Sequence, residues 1–357
     1  MNQPRRHSRP PDASARPSVA GGQTACLFTA LLVFVLLCAL LAPLTAAVAN
    51  APRAGTLSLV HENDIYNNTD RNYTNGLQLS WVSSEPTAPE WVLSVARLVP
   101  WFSQQGELSH GYLFGQSMFT PHDITVSDPP QDDRPYAGWL YGTIALSSET
   151  GPQLDQFALT LGVVGPASQA EHSQIFIHEL LNADEPRGWD TQLGNELGIV
   201  VTYQRSWRGL NTQPIDGLTL DLTPHLGGAL GNVFTYANTG LTMRIGRQLP
   251  LDYGPPRIQP SIPGSAVYVP RRGFGWYLFT GVEGRAVARN IFLDGNTFRD
   301  SRRVDKEPLV GDLQFGLVLD WRETRLSYTH VLRTREFEQQ RENDGFGVIS
   351  LSVSFQS

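Results

Sequence analysis

The sequence has 357 residues, with 27 Lys and Arg against 34 Asp and Glu, which gives a formal net charge of −7. A chain this acidic is a poor candidate for binding nucleic acid, because that binding depends on clustered basic side chains facing the phosphates. The sequence contains two cysteines, Cys26 and Cys38, so neither a disulfide framework nor a Cys-based zinc site is expected.

The first 49 residues have the features of a signal peptide. Arginines precede an apolar run over 25–44, and the A-V-A sequence at 47–49 is a small-residue cleavage site. An uncleaved membrane anchor is the alternative, since the run is about long enough to span a bilayer, but Pro43 and the cleavage sequence favour removal. We therefore predict a signal peptide at 1–49 and a mature domain at 50–357. Losing four Arg and one Asp lowers the net charge from −7 to −10 and removes both cysteines.

Polar side chains cluster where the first predicted hairpin turns. Glu62, Asn63 and Asp64 are soon followed by the sequence TDRNYTNG at 69–76, which contains Thr74. Their oxygen atoms are ligands of the hard kind that calcium prefers, whereas the sequence has no histidine pair at the spacing of a structural zinc site. An ordinary Asx-type turn is the alternative. The predicted calcium ligands are Asp64, Asn63 and Thr74, with Glu62 as a further donor.

The hydrophobic pattern of the mature chain has a period of two. Apolar and polar residues alternate in LQLSW at 77–81, and Ile349, Leu351, Val353 and Phe355 alternate with serines at the C-terminus. Such alternation gives a strand one apolar and one polar face. No run after the signal peptide approaches about 18 apolar residues, which argues against a membrane-spanning helix.

Three features favour a transmembrane barrel over a soluble sandwich. The last strand ends on an aromatic residue, aromatic residues cluster near strand ends, and the strands are about ten residues long with polar connections. The predicted fold is all-β, a transmembrane antiparallel β-barrel of about twelve strands with a short helix in one connection, and ten or fourteen strands are the alternatives. The predicted strands lie near 55–62, 75–83, 109–119, 138–148, 154–164, 195–206, 217–228, 234–246, 275–288, 290–299, 309–320 with 325–334, and 346–355.

An acidic stretch lies between the third and fourth predicted strands. It contains Asp128, Asp132, Asp133 and Arg134. Most such stretches are solvated turns, and contact with a cation or a phosphate is the alternative.

One segment departs from the period of two. The sequence AEHSQIFIHELL at 170–181 predicts a short amphipathic helix, with isoleucines available for packing. Gln174 and His178 are four residues apart and therefore share a face. A helix inserted into a barrel connection suggests a functional site.

His178 is the predicted general base of that site. Histidine is the side chain best suited to remove a proton from water near neutral pH, and Gln174 could orient the water or a substrate carbonyl. A calcium ion beside an ester would polarise its carbonyl group. A serine nucleophile is less convincing because the sequence has no G-x-S-x-G motif. A solvent-facing histidine without a catalytic role is the alternative.

Several of these segments, in their order along the chain, resemble the lipid A 3'-O-deacylase family of Gram-negative outer membranes. Each is weak alone, and the ordered combination is specific. They are END at 62–64, YTNG at 73–76, DRPYA at 133–137, GVVGP at 162–166, Q-x-x-x-H at 174–178, GW at 188–189 and GVEGR at 281–285.

The resemblance implies a twelve-stranded outer-membrane barrel with its active site on the outer-leaflet side. It implies a calcium-dependent esterase that removes the 3'-linked acyloxyacyl chain from lipid A. In that site Asn63 and Asp64 would hold the cation with help from Thr74, and Asn63 would also belong to the catalytic group. His178 would be the general base, and Gln174 would support it.

Two positions depart from the family pattern. The acidic residue six positions after the histidine is Asp184, whose carboxylate is shorter than the family's. The loop after the third strand, 120–126, lacks a lysine, and Lys306 is the one lysine of the chain. If a cation grips a lipid A phosphate, Arg134 is the predicted substitute.

Two other functions stay open on the sequence alone. An outer-membrane phospholipase would use similar groups, and a porin or adhesin would carry the same polar clusters without catalysis. The predicted partners are lipid A or lipopolysaccharide and the lipid of the outer membrane. The protein is expected to be a monomer that binds no nucleic acid.

Overall fold

The computed structural model describes residues 55–64, 72–83, 90, 93–94, 97, 102–103, 105–209, 211–215, 217–255, 257–258 and 271–355. The predicted signal peptide at 1–49 lies outside the described residues. Within the described part of the chain, no helix is both long and apolar enough to cross a bilayer.

Twelve antiparallel strands close into a barrel, as predicted. The ring closes because β1 pairs with β13 and β6 pairs with β8, while the short strand β7 pairs with the far end of β8. The strands are β1 Gly55–Asn63, β2 Asn72–Ser83, β3 Glu107–Thr120, β4 Ala137–Thr150, β5 Gln153–Val164, β6 Glu196–Trp207, β7 Asn211–Ile215, β8 Leu218–Gly231, β9 Phe234–Arg247, β10 Arg271–Asn290, β11 Leu309–Arg322, β12 Thr324–Arg333 and β13 Asp344–Phe355. Helices within the described residues include α1 Ala170–Leu181 and α2 Ile291–Asp294.

The prediction of a strand at 290–299 is wrong. The Asn290 side chain accepts a hydrogen bond from the Phe292 N–H at 3.1 Å and so caps the helical turn α2. Residues 291–293 are all buried, so the alternation of a strand is absent. A second error offsets this one, because 309–320 and 325–334 are separate strands joined at Arg322, which has a φ of 54°. The count of twelve is therefore right.

Each strand has an outer and an inner face. Along β3, Tyr112 and Phe114 are 42% and 60% exposed, whereas Leu113 and Ser117 are buried and line a cavity inside the barrel. Side chains alternate between the two faces of a strand, so the apolar side chains that are exposed form the outer wall.

Charged side chains fill part of the barrel interior. Asp312 on β11 accepts hydrogen bonds from Arg285 on β10 at 3.0 Å and from Arg333 on β12 at 2.9 Å. All three side chains are buried. Breaking a buried ion pair by removing one partner costs about 3–5 kcal/mol, so this network ties three neighbouring strands together.

The connection that contains α1 lies against the outer wall. Gly138 occupies an outer position on β4, between the buried Ala137 and Trp139. A Cβ atom at Gly138 would lie 2.2 Å from the Ala170 Cβ and 2.2 Å from the Ser168 Oγ, so only glycine permits this approach. The α1 helix therefore begins directly on the wall.

Replacing Gly138 by Val should detach α1 while leaving the barrel folded. Overpacking a tight contact costs about 1–3 kcal/mol, which raises the undocked population of the helix about five- to 150-fold. Limited proteolysis at the exposed Phe176, with heat-modifiability on gels as the folding check, would measure the effect.

Gly142→Val is the matched control for this substitution. Gly142 lies on the same strand, and the nearest atom to its added Cβ is the Leu113 carbonyl oxygen at 3.9 Å. Equal protease resistance of the two variants would contradict the proposed contact.

Candidate active site

Four outer-facing residues form a row across β1 to β4, close to one end of the barrel. Asn63 pairs with Asn75, Asn75 with Met118, and Met118 with Gly138. We call this end, where β1, β3 and β5 finish, the upper rim. Neighbouring strands are about 4.8 Å apart, so Asn63 and Gly138 are separated by about 14 Å along the wall.

The connection after β5 crosses the wall toward this row. The short 3-10 turn Pro166–Ser168 contacts β5 and β4, and α1 contacts β4 and β3. A hydrogen bond from the Gln116 Nε2 on β3 to the Ser168 carbonyl, 2.7 Å long, fixes this path. His178 is eight residues beyond Ala170, or about 12 Å along a helix. Because α1 begins against Gly138 and also contacts β3, the helix lies on the outer side of the wall, which is also the side of Asn63.

The buried stripe of α1 is polar. Ala170, Gln174 and His178 recur every four residues and are 1%, 2% and 9% exposed. The prediction that Gln174 and His178 share a face is confirmed. Ile175 and Ile177, the residues expected to pack, are only partly buried. Burying polar side chains instead of these isoleucines indicates that the stripe has a function other than packing.

The imidazole of His178 is oriented by a backbone carbonyl. Its Nδ1 lies 2.5 Å from the carbonyl oxygen of Asp184. A carbonyl can only accept, so Nδ1 carries the proton and the lone pair is on Nε2. Asn182, with a φ of 51°, reverses the chain after α1 and brings Asp184 back to the histidine.

This geometry assigns Asp184 a different contact from the one that the resemblance suggested. Asp184 is exposed, and its backbone oxygen is the atom that meets His178. The shorter carboxylate therefore does not limit its support of the histidine. A backbone acceptor leaves no signal in the residue type, so this contact could not be found from the sequence.

Trp189 fixes the amide of Gln174. The indole N–H donates to the Gln174 Oε1 at 2.8 Å. Because an indole nitrogen only donates, the amide oxygen must face Trp189 and the NH₂ group must point away. That Nε2 atom is buried without a hydrogen-bond partner among the described residues. The site thus contains an oriented donor, and Trp189 is a residue whose role the sequence analysis missed.

Asn63, Asp64 and Thr74 lie together at the upper rim. Asp64 and Thr74 are 1% and 3% exposed, and Asn63 is half-buried. Thr74 is the extra residue of a bulge in β2, and its Oγ1 lies 2.6 Å from that of Thr120 on β3. These donors are oxygens of the kind that a hard divalent cation prefers. Across the described residues, no group of three or more His, Cys, Asp or Glu side chains could hold a metal, and this set includes one carboxylate.

A second residue pair that the sequence analysis missed lies beside Asn63. The Asn75 Nδ2 is 3.1 Å from the His61 Nε2, and both residues occupy outer positions near the row. The amide donates to the ring nitrogen, so its carbonyl oxygen is turned away from His61. This bond fixes the side chain of Asn75, the residue on β2 that pairs with Asn63 on β1.

Glu62 and Arg134 lie on the other side of the wall. Glu62 is fully buried, and its Oε1 accepts from the Ile258 N–H at 2.7 Å. Arg134 is also fully buried, with its guanidinium 5.1 Å above the ring of Phe119, a residue that lines the interior cavity. The structure therefore does not bring these two predicted support residues to His178.

Arg134 is held by a carboxylate in the loop after β12. Its Nη1 donates to the Glu336 Oε2 at 3.3 Å. Burial raises the pKa of Glu336, but the guanidinium groups of Arg333 and Arg134 outweigh burial and keep that pKa below its ordinary value. Glu336 is thus ionised, and Arg134 already has an anionic partner inside the barrel.

Comparison with known proteins agrees with this architecture. The family model for the outer membrane protein LpxR matches residues 31–355. The solved structure of LpxR from Salmonella typhimurium is 19% identical, with a TM-score of 0.69 over 84% of this chain and 100% of that one. The beta domain of the Bordetella autotransporter Brka is 9% identical, with a TM-score of 0.41 over 85% of this chain and 98% of its own. No curated protein matches the sequence.

The family match covers nearly the whole chain, including the row on β1 to β4, α1 and Trp189. The solved LpxR structure shares the barrel fold. The chain therefore belongs to the LpxR family of outer membrane proteins and is a β-barrel of the outer membrane.

Proposed function

We propose that this protein is a lipid A 3'-O-deacylase, an esterase that hydrolyses the 3'-linked acyloxyacyl chain of lipid A. Membership of the LpxR family supports a role in lipid A deacylation. The observation that carries the proposal is the imidazole of His178, held in one tautomer on the outer wall of a membrane barrel. An ester within a membrane lipid would meet this group without entering the barrel.

In the proposed reaction, His178 acts on water. Its Nε2 removes a proton as the water oxygen attacks the ester carbonyl carbon, while Nδ1 keeps its proton on the Asp184 carbonyl. When the tetrahedral intermediate breaks down, Nε2 returns the proton to the leaving alkoxide. The products are a free acyloxyacyl acid and a 3'-hydroxyl group on lipid A. Histidine thus ends each turnover in its starting state.

Gln174 would stabilise the negative charge of the tetrahedral intermediate. Its NH₂ group is a buried donor whose direction Trp189 fixes. A donor that is oriented before the reaction begins stabilises a developing oxyanion without reorganising, and losing one such donor lowers kcat about 10²–10³-fold in known enzymes.

Asn63, Asp64 and Thr74 would hold a divalent cation, which we propose to be calcium. A calcium ion bound there would polarise the ester carbonyl. The buried carboxylate of Asp64 and the neutral oxygens of Asn63 and Thr74 suit a hard cation. Their place near the row keeps the cation on the same side of the wall as α1.

The exposed side of α1 would contact the hydrocarbon of the substrate. Phe176 and Leu180 are four residues apart and are 63% and 55% exposed. Exposed apolar side chains on the wall of a membrane barrel face lipid rather than water. The helix therefore presents its polar stripe to the site and its apolar edge to acyl chains.

Lipid A from cells that express the protein should lose the mass of the 3'-acyloxyacyl chain, and His178→Ala should abolish this loss. Removing a general base lowers the rate about 10²–10⁴-fold. Mass spectrometry of extracted lipid A measures the change, and heat-modifiability confirms that the variant is folded.

Chelation of divalent cations should stop the reaction, and added calcium should restore it.

His172→Ala is the control, since His172 is an exposed histidine on the same helix. A folded His178→Ala variant with wild-type activity would refute the proposed base. Release of lysophospholipid with intact lipid A would instead indicate a phospholipase, and no hydrolysis of either lipid would indicate a passive barrel.

Asp184→Asn should retain activity within about twofold, because the backbone oxygen holds His178 and surface substitutions change free energies by about 0.5 kcal/mol. Asn182→Val should lower kcat, since a β-branched residue disfavours a φ of 51° and would move the carbonyl. Steady-state hydrolysis of purified lipid A compares the two variants. A loss in Asp184→Asn as large as that in His178→Ala would show that the carboxylate is required.

Trp189→Phe should lower kcat about tenfold or more with little change in KM, because the Gln174 amide loses the bond that orients it. Gln174→Leu should lower kcat at least as much. The double variant Gln174→Leu/Trp189→Phe should be no slower than Gln174→Leu alone, since Trp189 acts through Gln174. Additive losses in the double variant would show that Trp189 acts independently.

A further inference from the structure

A groove runs along the outer wall on the part of the barrel built by β8 to β11. Its volume is about 710 Å³. It lies on different strands from the row on β1 to β4, and none of its lining residues belongs to the candidate active site. It opens at the upper rim, where β10 ends and β11 begins.

The floor of the groove consists of small residues in adjacent strands. Gly284 pairs with Gly311, and Ala286 pairs with Ala237. These positions face outward, since Glu283 and Arg285 on either side of Gly284 are directed inward. A Cβ atom at Gly284 would meet nothing within 4 Å, so the space above the floor is open.

Large apolar side chains border this floor. Leu226 and Leu309, which also line the groove, are 55% and 73% exposed. Toward the middle of the barrel, the next outer positions are Leu241, Val282 and Leu313, which are 41–54% exposed. The wall is therefore recessed between protruding leucines, and the recess is mostly apolar, with Thr239 opposite Gly284 as a polar outer side chain.

Polar groups close the groove at the upper rim. Arg335 and Glu307 both line it, with the Arg335 Nη2 3.6 Å from the Glu307 Oε1. The Arg335 side chain is 48% exposed. An apolar recess that ends at an exposed guanidinium matches a molecule with a hydrocarbon chain and an anionic head group.

We propose that this groove binds one acyl chain of a lipid A molecule, at a site separate from the active site, with a lipid A phosphate against Arg335. The wall of an outer-membrane barrel is covered by lipid, and the groove continues that lipid-facing surface. A second barrel would present a convex wall that cannot fill a recess. The choice of lipid A rests on the proposed function, because the groove opens at the same rim as the active site and so faces the same leaflet.

Native mass spectrometry with hexa-acylated lipid A tests this proposal. The full chain carries His178→Ala, so that the lipid is not hydrolysed, and is compared with and without Gly284→Leu. The Cβ of the added leucine meets nothing within 4 Å, so the side chain can extend into the groove. The expected result is the loss of one bound lipid A per barrel in the Gly284→Leu protein.

His178→Ala/Gly142→Leu is the matched control, since Gly142 is an exposed outer glycine on β4 whose added Cβ would have one neighbour, the Leu113 carbonyl oxygen at 3.9 Å. This control protein should bind as many lipid A molecules per barrel as His178→Ala alone, whereas the Gly284→Leu protein should bind one fewer. Heat-modifiability shows that every variant is folded.

Equal lipid A counts with and without Gly284→Leu would overturn the proposal. So would a dimer that Gly284→Leu dissociates, which would identify a second copy as the occupant, and so would equal displacement of the lipid by phosphatidylethanolamine. Failure of the proposed deacylation appears in a different measurement, as unchanged lipid A from cells that express the wild-type protein. The two ideas can therefore fail separately.

Discussion

The close approach of Ala170 to Gly138 is the constraint on which the candidate site depends. A barrel wall normally keeps a layer of side chains between itself and its surroundings, and the missing side chain at Gly138 removes that layer at one point. The helix that begins there contacts β4 and β3, and its Gln174 and His178 are buried rather than exposed to solvent. Local helix geometry then places the imidazole about 12 Å along the helix from Ala170.

The two faces of the wall have separate tasks. The interior holds ion pairs, such as Asp312 with Arg285 and Arg333, which join neighbouring strands through buried charge. The outer face holds the amide, imidazole and hydroxyl groups of the candidate site. One step along β1 separates them, because Glu62 points inward to Ile258 and Asn63 belongs to the outer row. The buried ion pairs thus lie inside the barrel on β10 to β12, and the candidate site lies outside it on β1 to β4 and α1.

The strands were predictable because alternation is a local property of the sequence. The segment 290–299 failed because three consecutive buried residues after a helix cap do not reveal themselves as a helical turn from composition. His178 and Gln174 were predictable from their spacing of four. The roles of Asp184 and Trp189 were not, because one acts through its backbone and the other through a long-range contact. The interior position of Arg134 was not predictable for the same reason, since its ion pair with Glu336 joins distant loops.

Because α1 lies outside the barrel, its position also sets the route by which the proposed substrate and product would reach and leave His178. A substrate that reaches His178 from the lipid side arrives by lateral diffusion in two dimensions, and a released fatty acid can leave the same way, past Phe176 and Leu180. Neither the substrate nor the fatty acid would have to pass through the lumen. Ion pairs such as Asp312 with Arg285 can therefore occupy the barrel interior without lying on the path of a substrate.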